Sequence, residues 1–305
     1  MTDRLTETAC ARLCLLTSIA WDESMPPLFS RMAVRRMMAC GALCGLVLRQ
    51  TEALPRATFE RAEMLLTRTS EALLCMEAYE KRGYRLILPE SKEWPKALHK
   101  LGGREPLFLF IKGNASLLEK RTVAVAGSRE IEEETRNMAS RLGAMLAEEK
   151  LTMVCGGARG VDQAAQNALL DAGGSLILVP AVSAEQACTR EKETAALQDD
   201  RLLLVCETLP DAPFSAPKAL ARNHTIYALG EAAIVVAARK GVGGSWRGAT
   251  AGLCGNFSTV YVPDGDGADF AGNRALYEYG AQKIDLSGKR RIAGQLHIGG
   301  QMSFL

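Results

Sequence analysis

The 305-residue chain is short of histidine, aromatic residues and net charge. It holds three His (His99, His224 and His297), only 6% Phe, Trp and Tyr, and 37 Lys and Arg against 35 Asp and Glu, a net charge of +2. With no His in a triad or metal-ligand spacing, hydrolytic chemistry lacks its usual base. A chain so near neutrality makes no strong global field, so any polyanion site must be a local concentration of charge. The nine cysteines are odd in number, scattered and without a CxxC pair, which excludes a disulfide framework and points to reduced thiols in the cytoplasm. Cys10/Cys14 and Cys40/Cys44 each share a helix face and read as small packing residues; no metal is expected. The longest apolar run, Met37 to Leu48, is about a dozen residues against the ~20 of a membrane span, so a buried segment and no membrane contact are expected. Thr2-Asp3-Arg4 leads into a helical pattern rather than a signal-peptide core. Gly-x-Gly-x-x-Gly after the first strand, a Walker A lysine motif and a Gly-x-Ser-x-Gly elbow are all missing. Their absence disfavours dinucleotide binding, ATP hydrolysis and serine-hydrolase chemistry.

The chain does have a composition able to bury a core: 48% apolar and 24% charged residues, over a length that suits one large or two modest domains. Residues 1–82 read as a helical module. Leu5, Ala9, Leu13 and Leu16 recur at helix spacing, Pro26-Pro27 breaks the pattern, Leu28 to about Leu48 resumes it, and Pro55 breaks it again. Phe59, Ala62, Leu65, Leu66, Thr69, Leu73 and Met76 mark a third helix that should stop near Gly83. Residues 1–120 carry 18 basic and 14 acidic side chains, the rest 19 and 21. Arg31, Arg35 and Arg36 belong to that excess and read as a solvated helix face, with contact to DNA or a partner as the alternative.

From Thr122 strands and helices alternate. Strands are expected at Thr122–Ala126, Leu151–Cys155, Ser175–Val179, Leu202–Cys206, Ala232–Ala237 and Thr259–Val262, with helices at about Glu132–Glu149 and up to Ala172. This texture predicts an α/β fold, a Rossmann-like, mostly parallel sheet with helices on both faces, preceded by the small helical domain.

Three glycine-bearing loops follow strands: Gly127-Ser128-Arg129, Gly156-Gly157-Ala158-Arg159-Gly160 and Gly241-Val242-Gly243-Gly244-Ser245. Glycine lets backbone approach a phosphate, the next helix offers free N–H groups and the positive end of its dipole, and ligands of such sheets sit beyond the strands' carboxyl ends. Arg129, Arg159, Lys240 and Arg247 bring a cation to each loop. Together the loops predict a site for a phosphate-bearing ligand. Asp162, just inside a helix start, reads as a loop cap rather than a base.

At these residues the sequence resembles the DNA-processing protein A family (DprA, also called Smf). Gly83-Tyr84, Trp94-Pro95, Leu98, Pro106-Leu107-Phe108 and Lys112-Gly113-Asn114 resemble the family's approach to the sheet, and Val123 to Arg129 its first strand and Gly-Ser-Arg loop. Gly156-Gly157-Ala158-Arg159-Gly160-Val161-Asp162 is similar to its Ser-Gly-x-Ala-x-Gly-Ile-Asp signature. Arg222-Asn223, Gly243-Gly244-Ser245 and Gly272-Asn273 through Gly280-Ala281 resemble its later elements. The resemblance implies a sterile-alpha-motif-like module over 1–82, a Rossmann-like domain over 83–288 and a short tail over 289–305. It implies sequence-independent binding of single-stranded DNA, assistance to RecA loading in recombination and transformation, a homodimer, no cofactor and no chemical step. The implied DNA- and phosphate-binding residues are Gly127, Ser128, Arg129, Gly156, Gly157, Arg159, Gly160, Asp162, Arg222, Asn223, Lys240, Gly243, Gly244, Ser245 and Arg247. Tyr227 and Trp246 are candidates for base stacking, with core packing as the equal alternative for both. The chain departs from the family at Gln166, where a His is usual, at His224, where a basic residue follows Arg-Asn, and near Gly248, where a Thr is replaced. The Tyr-Pro-x-x-Asn stretch expected near Ser183–Arg190 is missing. With the chain ending at Leu305, the winged-helix domain of some members is not expected, and Lys289-Arg290-Arg291 reads as a solvated tail. The alternatives are a nucleotide-binding sensor or nucleotide-cleaving enzyme, with Glu207 and Glu231 as possible acids, and a partner-binding scaffold whose DNA site has decayed.

Overall fold

The structure, a computed structural model, describes residues 4–41, 43, 54–265 and 267–296. Cys44, His297 and positions 44–48 of the expected Leu28–Leu48 helix lie outside the described residues. The chain forms two compact units, one from residues within 1–94, 103–111 and 207–210, the other from residues within 95–102, 112–206 and 211–305.

The first unit holds helices α1 (Arg4–Leu16), α2 (Arg31–Ala39), α3 (Arg56–Leu66) and α4 (Thr69–Lys81). Ala11, Leu15, Val34, Met37, Ala62 and Leu65 form its core. Two expectations are corrected. The expected Leu28–Leu48 helix begins later, where the Ser30 side chain accepts from the Ala33 N–H, and is interrupted after Ala39 by Gly41 at φ 69°, with Leu43 helical again. The third helix is two helices, broken at Thr67-Arg68 because Arg68 is needed inside. Its guanidinium is buried and donates to the carbonyls of Cys14, Leu65 (3.1 Å), Thr17 (3.2 Å) and Ile19 (2.6 Å), closing the end of α1. Nor are Arg31 and Arg35 a solvated face: Arg31 pairs with Glu207 at 2.7 Å and Arg35 with Glu105 at 3.8 Å. Buried Arg12 pairs with Glu90 and donates to the Leu107 carbonyl at 2.8 Å. Strand β1 (Arg85–Ile87) pairs antiparallel with β2 (Leu109–Gly113), Arg85 opposite Ile111. Neither strand was foreseen, since both are short and follow turn-rich sequence.

The second unit is built on β3 (Thr122–Ala126), β4 (Thr152–Cys155), β5 (Leu176–Leu178), β6 (Leu202–Cys206), β7 (Ala232–Val235), β8 (Thr259–Pro263) and β9 (Gln282–Ile284). Their order is β6-β5-β4-β3-β7-β8-β9 and every pair is parallel. Continuous apolar runs such as Leu202–Cys206, buried along their whole length, are what a sheet covered on both faces requires. α5 (Glu133–Glu148), α6 (Val161–Asp171) and α8 (Glu191–Gln198) pack as one layer, α9 (Ala216–Leu229), α10 (Gly243–Gly255) and α11 (Ala271–Glu278) as another; α7 (Ala184–Ala187) is one turn. The fold is the expected Rossmann-like, mostly parallel α/β sheet, and β9 is the strand that its exposed Gln282-Lys283 start concealed.

Long-range side chains close the frame. Asp269 accepts from the Glu132 N–H (3.2 Å) and the Thr135 hydroxyl (3.0 Å), capping α5 from a loop more than a hundred residues away. Buried Asn273 donates to the Val236 carbonyl at 2.9 Å and the Val235 carbonyl at 3.3 Å, holding the end of β7. The Glu149 carboxylate accepts from the N–H groups of Ile292 (2.6 Å) and Ala293 (2.8 Å), so α12 (Ile292–Gln295) is tied down behind Lys289-Arg290-Arg291. Among the described residues no helix is long and apolar enough to cross a membrane.

Candidate nucleic-acid interface

From β3 the chain runs outward through β4, β5 and β6, then returns to β7 on the other side of β3. In an open parallel sheet this reversal leaves a crevice beyond the carboxyl ends of the two central strands. A pocket of about 460 Å³ lies there. Its walls come from the β3–α5 loop (Gly127 to Glu130), Ala158 and Asp162, the end of the β7–α10 loop with the first turn of α10 (Val242 to Ser245), and α9.

Each loop is tied to its neighbour. The Ser128 N–H donates to the Ala237 carbonyl at 2.9 Å, locking the first loop to the end of β7. The Val161 N–H returns a bond to the Ser128 carbonyl at 3.1 Å. Gly160, at φ 82°, lies so close to the Ser128 and Arg129 carbonyls that a Cβ would overlap them. Asp162 fastens the second loop, its Oδ2 accepting from the N–H groups of Gly156 (3.1 Å) and Ala158 (3.3 Å). Burial pushes the Asp162 carboxyl above its ordinary range, against the opposing pull of Arg222, those two amides and Arg129. The loop-cap reading thus stands on its geometry. Arg222, on α9 and buried, lays its guanidinium over Gly156, where no Cβ would fit. Asn223 donates to the Gly244 carbonyl at 3.2 Å, tying α9 to the third loop.

Of the fifteen residues anticipated from sequence, the pocket gathers Gly127, Ser128, Arg129, Asp162, Arg222, Asn223, Gly243, Gly244, Ser245 and Arg247. Gly156 is buried beneath the Arg222 guanidinium and Gly160 packs on the first loop, Gly157 is exposed, and Arg159 and Lys240 are exposed on loops outside the lining. Arg129 and Arg247 are exposed at the rim. Tyr227 lines the pocket but takes the core-packing alternative: it is 2% exposed, its ring is packed on Gly248 and Gly252, and burial pushes its phenol up. Trp246 meets Tyr279 edge-on at 5.9 Å rather than lining the pocket. Glu207 is held by Arg31 and Glu231 is exposed at a strand start, so neither supplies an acid here. Gln166 is buried and donates to Glu193 at 2.6 Å. His224 stands edge-on to Phe257 at 5.9 Å. Among the described residues no group of three or more His, Cys, Asp or Glu is placed to hold a metal.

Sequence reasoning missed part of the rim. Phe214 is 50% exposed, and with Leu220 and Val242 it makes an apolar lip. The signal was present in Pro213-Phe214-Ser215, an aromatic ahead of the helix cap whose Ser215 side chain accepts from the Lys218 N–H. Arg239 and Glu130 also line the pocket.

A parallel sheet with glycine loops converging on a pocket at its central reversal defines a Rossmann-like α/β protein. The chain belongs to the DNA recombination-mediator protein A family, whose profile matches residues 85–292. It is 30% identical over 223 residues to proteins described as putative DNA processing protein DprA in two strains of Mycobacterium tuberculosis, covering 68% of this chain and 57% of theirs. The chain therefore spans little more than half the length of these curated relatives. The solved DNA processing protein A of Streptococcus pneumoniae shares the fold, with a TM-score of 0.61 at 20% identity over 84% of this chain and 95% of that one. The Helicobacter pylori protein, whose structure is described for its single-stranded DNA binding mode, gives a TM-score of 0.57 at 25% identity over 67% and 92%.

Proposed function

We propose that this protein binds single-stranded DNA without regard to sequence and serves as a recombination mediator, by binding rather than by chemistry. The observation that carries the reading is the convergence of Gly127, Ser128, Arg129, Arg222, Asn223, Gly244 and Arg247 on one pocket at the sheet's central reversal. Phosphates would be held by loop amides and by Arg129, Arg159, Lys240 and Arg247, and the Phe214 lip offers the apolar face that base contact needs. Family membership and the Helicobacter pylori relative's single-stranded DNA binding support the ligand class. Assistance to RecA loading in DNA uptake, self-association as a homodimer and a cytoplasmic location follow from the same reading. A titration against single- and double-stranded oligonucleotides at two salt concentrations tests it. Arg129→Ala combined with Arg159→Ala should abolish strand binding and leave the circular dichroism spectrum and melting temperature unchanged. Equal affinity of that variant and the wild type would refute the site. RecA filament assembly on coated strands, with and without the protein, tests the mediator step.

The pocket's size favours a second reading. About 460 Å³ falls in the range of small-molecule sites, roughly 300–1,000 Å³, so a mononucleotide sensor or nucleotide-cleaving enzyme is the competitor. Incubation with nucleoside monophosphates, with assay for retained ligand and for free base, separates the two.

A further inference from the structure

The acidic residue on the rim is the feature that phosphate binding leaves unexplained. Glu130 follows Arg129 directly and lines the pocket, as does Arg239 from the end of the β7 side. Their side chains meet at 3.5 Å, and both are largely in solvent, Arg239 at 52% and Glu130 at 77% exposure. Glu132, Glu133 and Glu134 come next, at the start of α5, where carboxylates complement the helix dipole. Glu130 lies ahead of that helix and does not cap it, since Asp269 takes the Glu132 N–H at 3.2 Å. An exposed pair of this kind contributes little to stability, so folding gives no account of a carboxylate placed here. What it does is electrostatic. It neutralises one of the three exposed cations of the rim, leaving Arg129 and Arg247 without an ion pair among the described residues.

We propose that Glu130 competes with DNA phosphate for Arg239, setting the affinity of the strand site below what its cations would otherwise give and easing release. The proposal rests on the single-stranded DNA reading above. A phosphate oxygen and a carboxylate oxygen make equivalent charge-assisted bonds to a guanidinium, so an arriving strand takes over Arg239 and Glu130 turns to water. Arg239 then contributes to binding only after losing its carboxylate. The surface site makes the exchange inexpensive and reversible, and strand release restores the internal pair.

Fluorescence anisotropy of a labelled oligo-dT strand tests this on the full chain with Glu130→Gln, Arg239→Ala, their double variant, and Glu148→Gln as a control. The control removes the same charge at the far, exposed end of α5. Glu130→Gln should bind about three- to tenfold more tightly at low salt, and the log–log salt slope should steepen by up to about 0.7, because Arg239 no longer exchanges a carboxylate for the phosphate it neutralises. Arg239→Ala should weaken the Glu130→Gln protein several times more than it weakens the wild type. Glu148→Gln should bind as the wild type does. The proposal is overturned if Glu130→Gln binds no more tightly, if Arg239→Ala costs the same in both backgrounds, or if Glu148→Gln tightens binding equally. Any of these with an intact wild-type affinity leaves the strand-binding reading standing. A wild type that retains no strand overturns both.

Discussion

Two buried ionisable side chains show how much a single residue settles. Arg68 closes the end of α1 by donating to four carbonyls, three of them in residues 14–19. Hydrogen bonds from a charged donor are worth about 1.5–3 kcal/mol each when measured singly, and stranded buried acceptors add their desolvation cost. Arg68→Met should therefore lower stability by roughly 3 kcal/mol in urea denaturation, with strand binding unaffected in the protein that remains folded. Asp162 carries a pH dependence. Its folded pKa is raised above the ordinary 3.8 by burial, so the native state holds a proton that the unfolded chain releases. Its contribution is full below the unfolded pKa and is lost as pH rises through the folded one. Asp162→Asn keeps an acceptor for the Gly156 and Ala158 amides but cannot ionise. Its stability relative to the wild type should rise as pH climbs from 3.8, read by chemical denaturation across that range. A pH-independent difference would show that the carboxyl is not perturbed.

At the scale of the element, the site is three strand–loop–helix turns pressed together, and glycine is what permits the pressure. Gly160 combines a positive φ of 82° with contact against two carbonyls of the neighbouring loop. Alanine there meets both a backbone conformation costing about 1–3 kcal/mol and a steric overlap, so the first and second loops must separate. Gly160→Ala should lower the melting temperature by several degrees and weaken strand binding at least about tenfold, whereas Gly267→Ala, at a positive φ but with open space around it, should leave binding intact. The strands themselves were legible in outline. Thr122–Ala126 and Leu202–Cys206 stand where apolar runs put them, because a strand buried on both faces has to be apolar throughout. β1, β2 and β9 were not legible: three to five residues long and partly exposed, they owe their state to a partner strand. The single third helix expected across Phe59–Met76 failed for a related reason, since its periodicity ran on through Arg68 while a distant helix end required that side chain.

Over the whole molecule, a net charge of +2 leaves no long-range attraction for a polyanion, and binding has to come from the local array. With Arg129, Arg159, Lys240 and Arg247 engaged, the log–log slope of affinity against salt should be roughly −3, four contacts at about 0.7 each on a single strand. A slope near zero would mean the ligand is held without its phosphates. The first unit adds no free basic face through Arg31 and Arg35, whose guanidiniums are taken by Glu207 and Glu105. The sequence by itself determined the class of fold, the three glycine loops and ten of the residues that line the pocket, because local runs and turn chemistry dictate strands and the loops that end them. Tertiary structure decided which cations line the pocket, that Tyr227 is core and Phe214 is rim, and that Glu130 stands against Arg239. Those outcomes depend on which strand ends are neighbours, and residues more than a hundred positions apart become neighbours only when the sheet closes around β3.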